Sequence, residues 1–341
     1  MLFFVRQGVI LFPDSAIGGR IMLSVHRISI PTPYPVGPVN AYLIKGDPLT
    51  MVDCGPDTPE AREVLTAGLK EQGVSPEDIK RIVLTHAHPD HSGMAQWLWK
   101  ESGAEVYVHP YEYRKITGEQ DFIKERLPFI VKMGIPMNIL LEMAGDRDKV
   151  PRPTLSGVNT VAVTGGEKLR FDGREMDIMH LPGHATGHIC LYDSREGELF
   201  SGDFLLLDIT PNPLLEADPE NPERRYPSLS RYLECLELVD GLGIKRALPG
   251  HGGIIEDPGA VIASSREHHQ RRFDRLLEIL GDNGKMNTYN ISSTMYPDLR
   301  GFHIFLGLSE VQAHLDVLLE QGCIKVEYSQ GVAFYLKAPG E

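Results

Sequence analysis

The segment from Thr85 to Gly93, THAHPDHSG, places three histidines and an aspartate within the six residues from His86 to His91, in a chain of 341 residues with 13 histidines. Imidazole and carboxylate groups gathered at the end of a buried strand are costly without a partner for their lone pairs. A metal ion is such a partner. Imidazole suits zinc, iron or copper, and carboxylate suits harder cations. His86 and His88 stand two apart at a strand end and can aim the same way. Asp90 and His91 lie past Pro89, where the chain turns into a helix, and can aim elsewhere. One loop can therefore serve two adjacent ions.

Two ions need further ligands. His184 in LPGHATGH, Asp203 in LFSGDFL and His251 in ALPGHGG each follow a strand-like run and stand beside glycine, where the backbone can turn sharply. Each alone is an ordinary turn. Together with the first cluster, in this order, they form a set.

The ordered set HxHxDH, PGH, GD and PGHG resembles the metallo-β-lactamase superfamily over residues 25–258. The resemblance implies an α/β fold, an αβ/βα sandwich of two mixed sheets with flanking helices and a two-metal site between the sheet edges. It implies that His86, His88 and His184 hold one cation, that Asp90, His91 and His251 hold the other, and that Asp203 bridges them. Asp53, in MVDCG, matches an aspartate that supports such a site from behind. The implied cofactors are two divalent ions, zinc first, with iron or manganese as alternatives. β-Lactamases of the family often carry cysteine at the bridging position, so Asp203 argues against antibiotic hydrolysis. The expected chemistry is hydrolysis by a hydroxide held between two cations, with Asp90 as the catalytic carboxylate that orients it and passes a proton to the leaving group. Ser92 and Cys54 read as structural.

The elements that must position these residues follow from the pattern. MLSVHRISI, NAYLIKG, LTMVDCG, KRIVLTH and AEVYVHP read as strands of a first sheet. A helix starts at Asp57-Thr58-Pro59-Glu60 and stops at Gly73. Residues 111–146 read as an amphipathic helical insert broken by Pro128 and Pro136. It is expected to cap the second sheet, and its place near the cluster also suggests a gate for substrate. TVAVTGG, EKLRF, EMDIMHLPG, HICLYD and ELFSGD read as the second strand-rich sheet, followed by the helix SLSRYLECLELVDGLG and the strand IKRALPGHG. His109 and His180 read as strand-end fillers, His268 and His269 as part of a solvated helix, and Tyr34 as part of a rigid proline-rich edge.

The spacing predicts a catalytic domain over residues 1–258 and a C-terminal domain over residues 259–341. The latter holds a long charged helix, a helix near 286–295, the helix LSEVQAHLDVLLEQG and a closing hairpin, a winged-helix pattern. Residues 1–21 read as an extra strand or hairpin, or as an extension ahead of a natural start at Met22.

Net charge and substrate class come next. A formal charge of −13 and a pI near 5.5 repel polyanions, which disfavours nucleic acid and anionic membranes as partners. No apolar run is long enough to span a bilayer. Cys54, Cys190, Cys235 and Cys323 form no CxxC and read as buried thiols of a cytoplasmic protein. The expected substrate is a small ester, thioester or lactone, because PGHATGH resembles the PGHTPGH of hydroxyacylglutathione hydrolases. The basic C-terminal pair that holds glutathione in that group has no evident counterpart. A second reading is a ribonuclease or phosphodiesterase, since the C-terminal half is similar to the lactamase-like endoribonucleases. A third is a non-catalytic winged-helix metal sensor, but LSEVQAHLDVLLEQG carries no lysine or arginine and three acids. The tail is expected to dock on the catalytic domain or on a second subunit.

Overall fold

A computed structural model describes residues 23–119, 122–145 and 155–339. The N-terminal strand or extension expected over residues 1–21 lies outside these.

Two mixed sheets form the centre. The first runs β1 (Ser24–Ile30), β2 (Val39–Lys45), β3 (Thr50–Val52), β4 (Arg81–Val83), β5 (Glu105–Val108) and β6 (Thr160–Ala162), in that spatial order. β1 to β3 pair antiparallel, and β3 to β6 pair parallel. Helices α1 (Pro59–Glu71), α2 (Pro89–Ser92), α3 (Ala95–Ser102), α4 (Pro110–Ile116), α5 (Phe122–Ile130) and α6 (Met137–Gly145) lie on the connections. The second sheet has the order β11 (Arg246–Pro249), β10 (Glu198–Gly202), β9 (Ile189–Asp193), β8 (Arg174–His180) and β7 (Lys168–Phe171), with α7 (Ser228–Asp240) between β10 and β11.

β6 is a correction. Its alternation marks a strand, and the sequence reading grouped it with the second sheet. It instead pairs parallel to β5, with Tyr107 opposite Val161, after the helical crossover. Parallel neighbours need such a long connection, and α4 to α6 provide it.

Period-two alternation sorts each strand's side chains into layers. On β2, Tyr42 and Ile44 face a cluster with Ile178, Leu191, Phe200 and Leu248, which joins the two sheets. Ala41 and Leu43 face the opposite way, toward Leu65 and Leu69 of α1 and Leu98 of α3. The outer face of the second sheet packs on α7. The result is a helix–sheet–sheet–helix sandwich. Thr58 caps α1 by accepting from Ala61 N at 3.1 Å.

The C-terminal residues form α8 (Pro258–Asn283), β12 (Met286–Asn287), α9 (Thr288–Met295), α10 (Phe302–Glu320), β13 (Ile324–Ser329) and β14 (Val332–Lys337), with strand order β12-β14-β13. α10 begins six residues before the expected Leu308. Its stripe of Leu308, Val311, Leu315 and Leu318 is buried. One apolar cluster runs from Leu199 and Ala247 through Leu236, Leu276 and Leu315 to Tyr335, so the C-terminal elements share a core with the second sheet's outer layer.

Among the described residues, the insert packs away from the second sheet. Phe129 and Met133 pack with Leu215, Phe305 and Leu308, against α10 and the loop before α7. α5 also continues through Pro128 and ends at Ile130, where a 3-10 turn, Val131–Met133, takes over. Proline has no N–H, so α5 forgoes one i→i−4 hydrogen bond at Pro128 and gives way to the 3-10 turn after Ile130.

Candidate metal centre

Every residue of the HxHxDH–PGH–GD–PGHG set follows the end of a strand or starts the helix beyond one. β3 ends at Val52 and delivers Asp53. β4 ends at Val83 and delivers Thr85 and His86; His88 then caps α2, whose first turn holds Asp90 and His91. β8 leads to His184, β10 to Asp203 and β11 to His251. Carboxyl ends of strands meet at one edge of the sandwich, which is where open α/β sheets bind ligands.

Three groups of potential ligand atoms result: His86, His88 and His184; His86, His91 and Asp203; and Asp90, His91 and His251, with the atoms of each group within 4.8 Å of one another. His86 Nε2 lies 2.8 Å from His88 Nδ1, which lies 3.1 Å from His184 Nε2. His91 Nε2 lies 3.3 Å from His251 Nε2. Around a cation with bonds of about 2.0–2.1 Å, tetrahedral ligands stand roughly 3.3 Å apart.

The far sides of the rings explain why lone pairs converge. Thr85 Oγ1 donates to Asp53 Oδ2 at 2.8 Å and so accepts from His86 Nδ1 at 3.1 Å. His91 Nδ1 donates to Asp53 Oδ2 at 2.7 Å. His184 Nδ1 donates to the Asn212 carbonyl at 3.0 Å, and His251 Nδ1 to the Pro38 carbonyl at 2.9 Å. Each proton is held on the outer nitrogen, which leaves the inner one bare. Asp53 adopts φ 56, a left-handed conformation disfavoured for a residue with a Cβ, with both oxygens engaged.

Electrostatics points the same way. Burial pushes His86 well below its usual range, helped by His91 and His88, and brings His88 down to about 3. Neither takes up a proton to relieve the contact between them. Burial raises the Asp203 carboxyl, but His91, His251 and His184 outweigh it and hold it well below the usual range. At His91 burial opposes charge, yet Asp203, Asp53 and Asp90 win and favour positive charge. Asp203 Oδ1 is buried with no hydrogen-bond partner among the described residues. Neutral imidazoles at His86 and His88, a carboxylate-rich end at His91 and His251 that favours positive charge, and an orphaned carboxylate oxygen on Asp203 fit divalent cations.

The Metallo-beta-lactamase superfamily description matches residues 34–251. The chain belongs to this superfamily. It is 32% identical to the probable metallo-hydrolase YqjP of Bacillus subtilis, covering 92% of this chain and 97% of that one. It is 28% identical to the human acyl-coenzyme A thioesterase MBLAC2, covering 62% of this chain and 72% of that protein. The crystal structure of the metallo-beta-lactamase family protein TTHA1429 from Thermus thermophilus superposes with a TM-score of 0.78 at 29% identity, covering 92% and 98% of the two chains. The fold is therefore the superfamily's α/β sandwich of mixed sheets. The protein is a metallo-hydrolase whose His/Asp clusters imply divalent metal ions. Among the described residues no helix is long and apolar enough to cross a membrane.

Several contributors escaped the sequence reading. Glu112 accepts from Ala87 N and Gly187 N, both at 2.8 Å, and so ties the two histidine loops together. Lys115 joins Glu112 to Glu216, which also meets Arg126. His188, in the quoted PGHATGH, accepts from Asp203 N at 3.1 Å. Asn40 Nδ2 donates to the Pro249 and Gly252 carbonyls and fixes the loop of His251. A Cβ on Gly250 would meet Asp203 Oδ1 at 2.4 Å, so only glycine lets that loop approach. His109 and His180 stack on each other at 4.4 Å, apart from the three groups. Two expectations fail. His269 is buried, because α8 turns that face toward α10. Cys235 and Cys323 are only half-buried, on the rim of the C-terminal core.

Proposed function

We propose that this chain is a dinuclear hydrolase of thioesters or small esters. The position of Asp203 carries the reading. Its carboxylate lies 3.3 Å from His91, 3.6 Å from His184 and 3.7 Å from His251, between the two ends of the ligand array. His86, His88 and His184 would hold one cation, Asp90, His91 and His251 the other, and Asp203 both. Histidine-rich sites of this kind favour zinc, the cation proposed here.

When bound, the cations supply Lewis acidity and a water nucleophile near neutral pH. The chain's own groups do the rest. Burial raises the Asp90 carboxyl, but His91 and a contact from His251 at 3.4 Å more than offset this, so Asp90 stays a carboxylate able to accept a proton and return it to the leaving group. Asp53 and the Pro38 carbonyl keep His91 and His251 aimed inward.

An acyl substrate is supported by the loops around the site. Val36, Leu207 and Ile209 expose apolar side chains two to six residues from Pro38 and Asp203. The similarity to an acyl-coenzyme A thioesterase agrees with that surface. We further propose that residues 259–341 are a winged-helix-like unit whose role is structural. That segment carries eight Lys or Arg and ten Asp or Glu, and its helix α10 presents no basic face.

The test combines metal analysis with a panel of acyl-coenzyme A thioesters, lactones, phosphodiesters and short RNAs. Thioester or ester turnover is expected, with metal occupancy reduced and hydrolysis abolished in Asp203→Ala. Full occupancy and activity in that variant would remove the bridging role. Cleavage of RNA without ester or thioester turnover would replace the substrate class.

A further inference from the structure

α8 and α10 bring a second set of ligand-type side chains together. His268, His269 and Glu310 each offer a ligand atom within 4.8 Å of the others, and none belongs to the groups around Asp203. His268 Nε2 lies 3.7 Å from Glu310 Oε1. That separation is beyond a hydrogen bond and close to the roughly 3.3 Å edge of a tetrahedron with bonds of about 2.0 Å.

The protons in this cluster can be traced from an acceptor that cannot donate. The Glu310 carbonyl, 2.7 Å from His314 Nδ1, must accept, so His314 carries its proton there and its Nε2 is bare. His314 Nε2 lies 3.0 Å from His269 Nδ1 and accepts from it. His269 Nε2 is then bare as well. His269 is 1% exposed, and among the described residues its Nε2 has no hydrogen-bond partner; nor does Glu310 Oε1. Two buried acceptors with no donor cost on the order of 1–3 kcal/mol each.

A proton, an anion, a water and a cation are the candidate occupants. Burial, with His314 adding to it, disfavours a proton on His269, and a water donating to both atoms would leave zinc content unchanged by substitution of His268 or Glu310. An anion does not fit, because Glu310 is itself anionic and the imidazoles present lone pairs. A cation fits. A histidine whose outer nitrogen donates to a second fixed group is the usual form of a metal ligand.

We propose that His268, His269 and Glu310 form a further zinc-type cation site that clasps α8 to α10. Two imidazoles and a carboxylate are a zinc ligand set that leaves one coordination position open. The His268 side chain is 30% exposed, which gives the ion a way in and that position a water. Asn212 links the site to the centre described above. Its Nδ2 lies 3.5 Å from Glu310 Oε2, and its carbonyl accepts from His184 Nδ1. The clasp thus stands directly behind one of the inward-facing histidines.

The test uses the full chain, stripped with chelator and reloaded with zinc or cobalt(II). His268→Ala and Glu310→Gln are each expected to bind one equivalent fewer per chain than the wild type. They should also lose part of the zinc-dependent rise in Tm and one component of the cobalt absorption. His268 is partly exposed, so His268→Ala keeps the fold even if His269→Gln does not. The reading is a difference between variant and wild type, so it holds whatever number of ions the Asp203 centre takes. Equal zinc content in wild type and in both folded variants would overturn the site.

Discussion

The Glu112 carboxylate accepts the backbone N–H of Gly187 at 2.8 Å, and its other oxygen accepts that of Ala87 at the same distance. One side chain on α4 therefore sets the spacing between the loop of His86 and His88 and the loop of His184. In Glu112→Gln one of the two acceptors becomes a donor and faces an N–H. Metal affinity is expected to fall roughly 10- to 100-fold, as when outer partners of ligands are lost. Competition with a chromophoric chelator measures this, with circular dichroism as the control for folding. Unaltered affinity would show that the loops hold their spacing without the clamp.

Asp53→Asn probes ring orientation. Asp53 Oδ1 accepts from Thr85 N, and Oδ2 accepts from both Thr85 Oγ1 and His91 Nδ1. An asparagine that keeps its oxygen toward Thr85 N turns its NH2 toward His91. His91 then shifts its proton to Nε2, the atom that faces Asp203 and His251. The expected outcome is a roughly 10- to 100-fold loss of affinity for one cation, with the other retained. Stepwise metal titration distinguishes this from a uniform loss, which would mean that the loop itself had moved.

Much of the candidate centre was readable because its ligand-type residues sit in short local patterns. HxHxDH, PGH, GD and PGHG each pair a histidine or aspartate with the glycine or proline that shapes its turn, so type and spacing carry the information. The residues behind them lack such a pattern. Glu112 reaches Gly187 across 75 positions, and Lys115 reaches Glu216 across 101. Nothing local marks these pairs, because only the packing of α4 against two loops creates them. The same holds for β6, whose alternation announces a strand but not its neighbour. His188 was within reach: a second histidine four residues after His184, at the start of a strand, was a visible signal. His269 was misread because a charged helix looks solvated until its partner helix is placed.

Tyr34 is half-buried and near enough to Asp90 for that carboxylate to act on its phenol. Burial, followed by the nearby Asp90 carboxylate, pushes its phenol up to about 12. It therefore remains a proton donor across the working pH range, available to a substrate oxygen. Tyr34→Phe is expected to lower kcat/KM for the preferred acyl substrate about 3- to 10-fold, the worth of roughly one hydrogen bond. Metal content should be unchanged. An effect confined to metal content, with kinetics per bound metal preserved, would assign Tyr34 to the proline-rich edge alone.

The buried Lys115–Glu216–Arg126 network predicts how the fold responds to acid. Lys115 Nζ lies 2.7 Å from Glu216 Oε2, and Arg126 lies 3.1 Å from Oε1. Burial raises the Glu216 carboxyl, but Lys115 and then Arg126 outweigh it and bring it from 4.5 down to about 2. A carboxyl depressed in the folded state binds its proton more readily when unfolded. Its contribution is therefore fully present above about pH 4.5 and is lost as the pH falls toward 2. In Glu216→Gln that group no longer titrates, so the curve of stability against pH should be flatter between 4.5 and 2 than in the wild type. At neutral pH the variant should be less stable by roughly 3 kcal/mol, because the buried Lys115 ammonium loses one of the two carboxylates that hold it. Urea unfolding of both proteins from pH 7 to pH 3 reads both effects. Parallel curves would mean that Glu216 keeps an ordinary pKa and that the network contributes through packing alone.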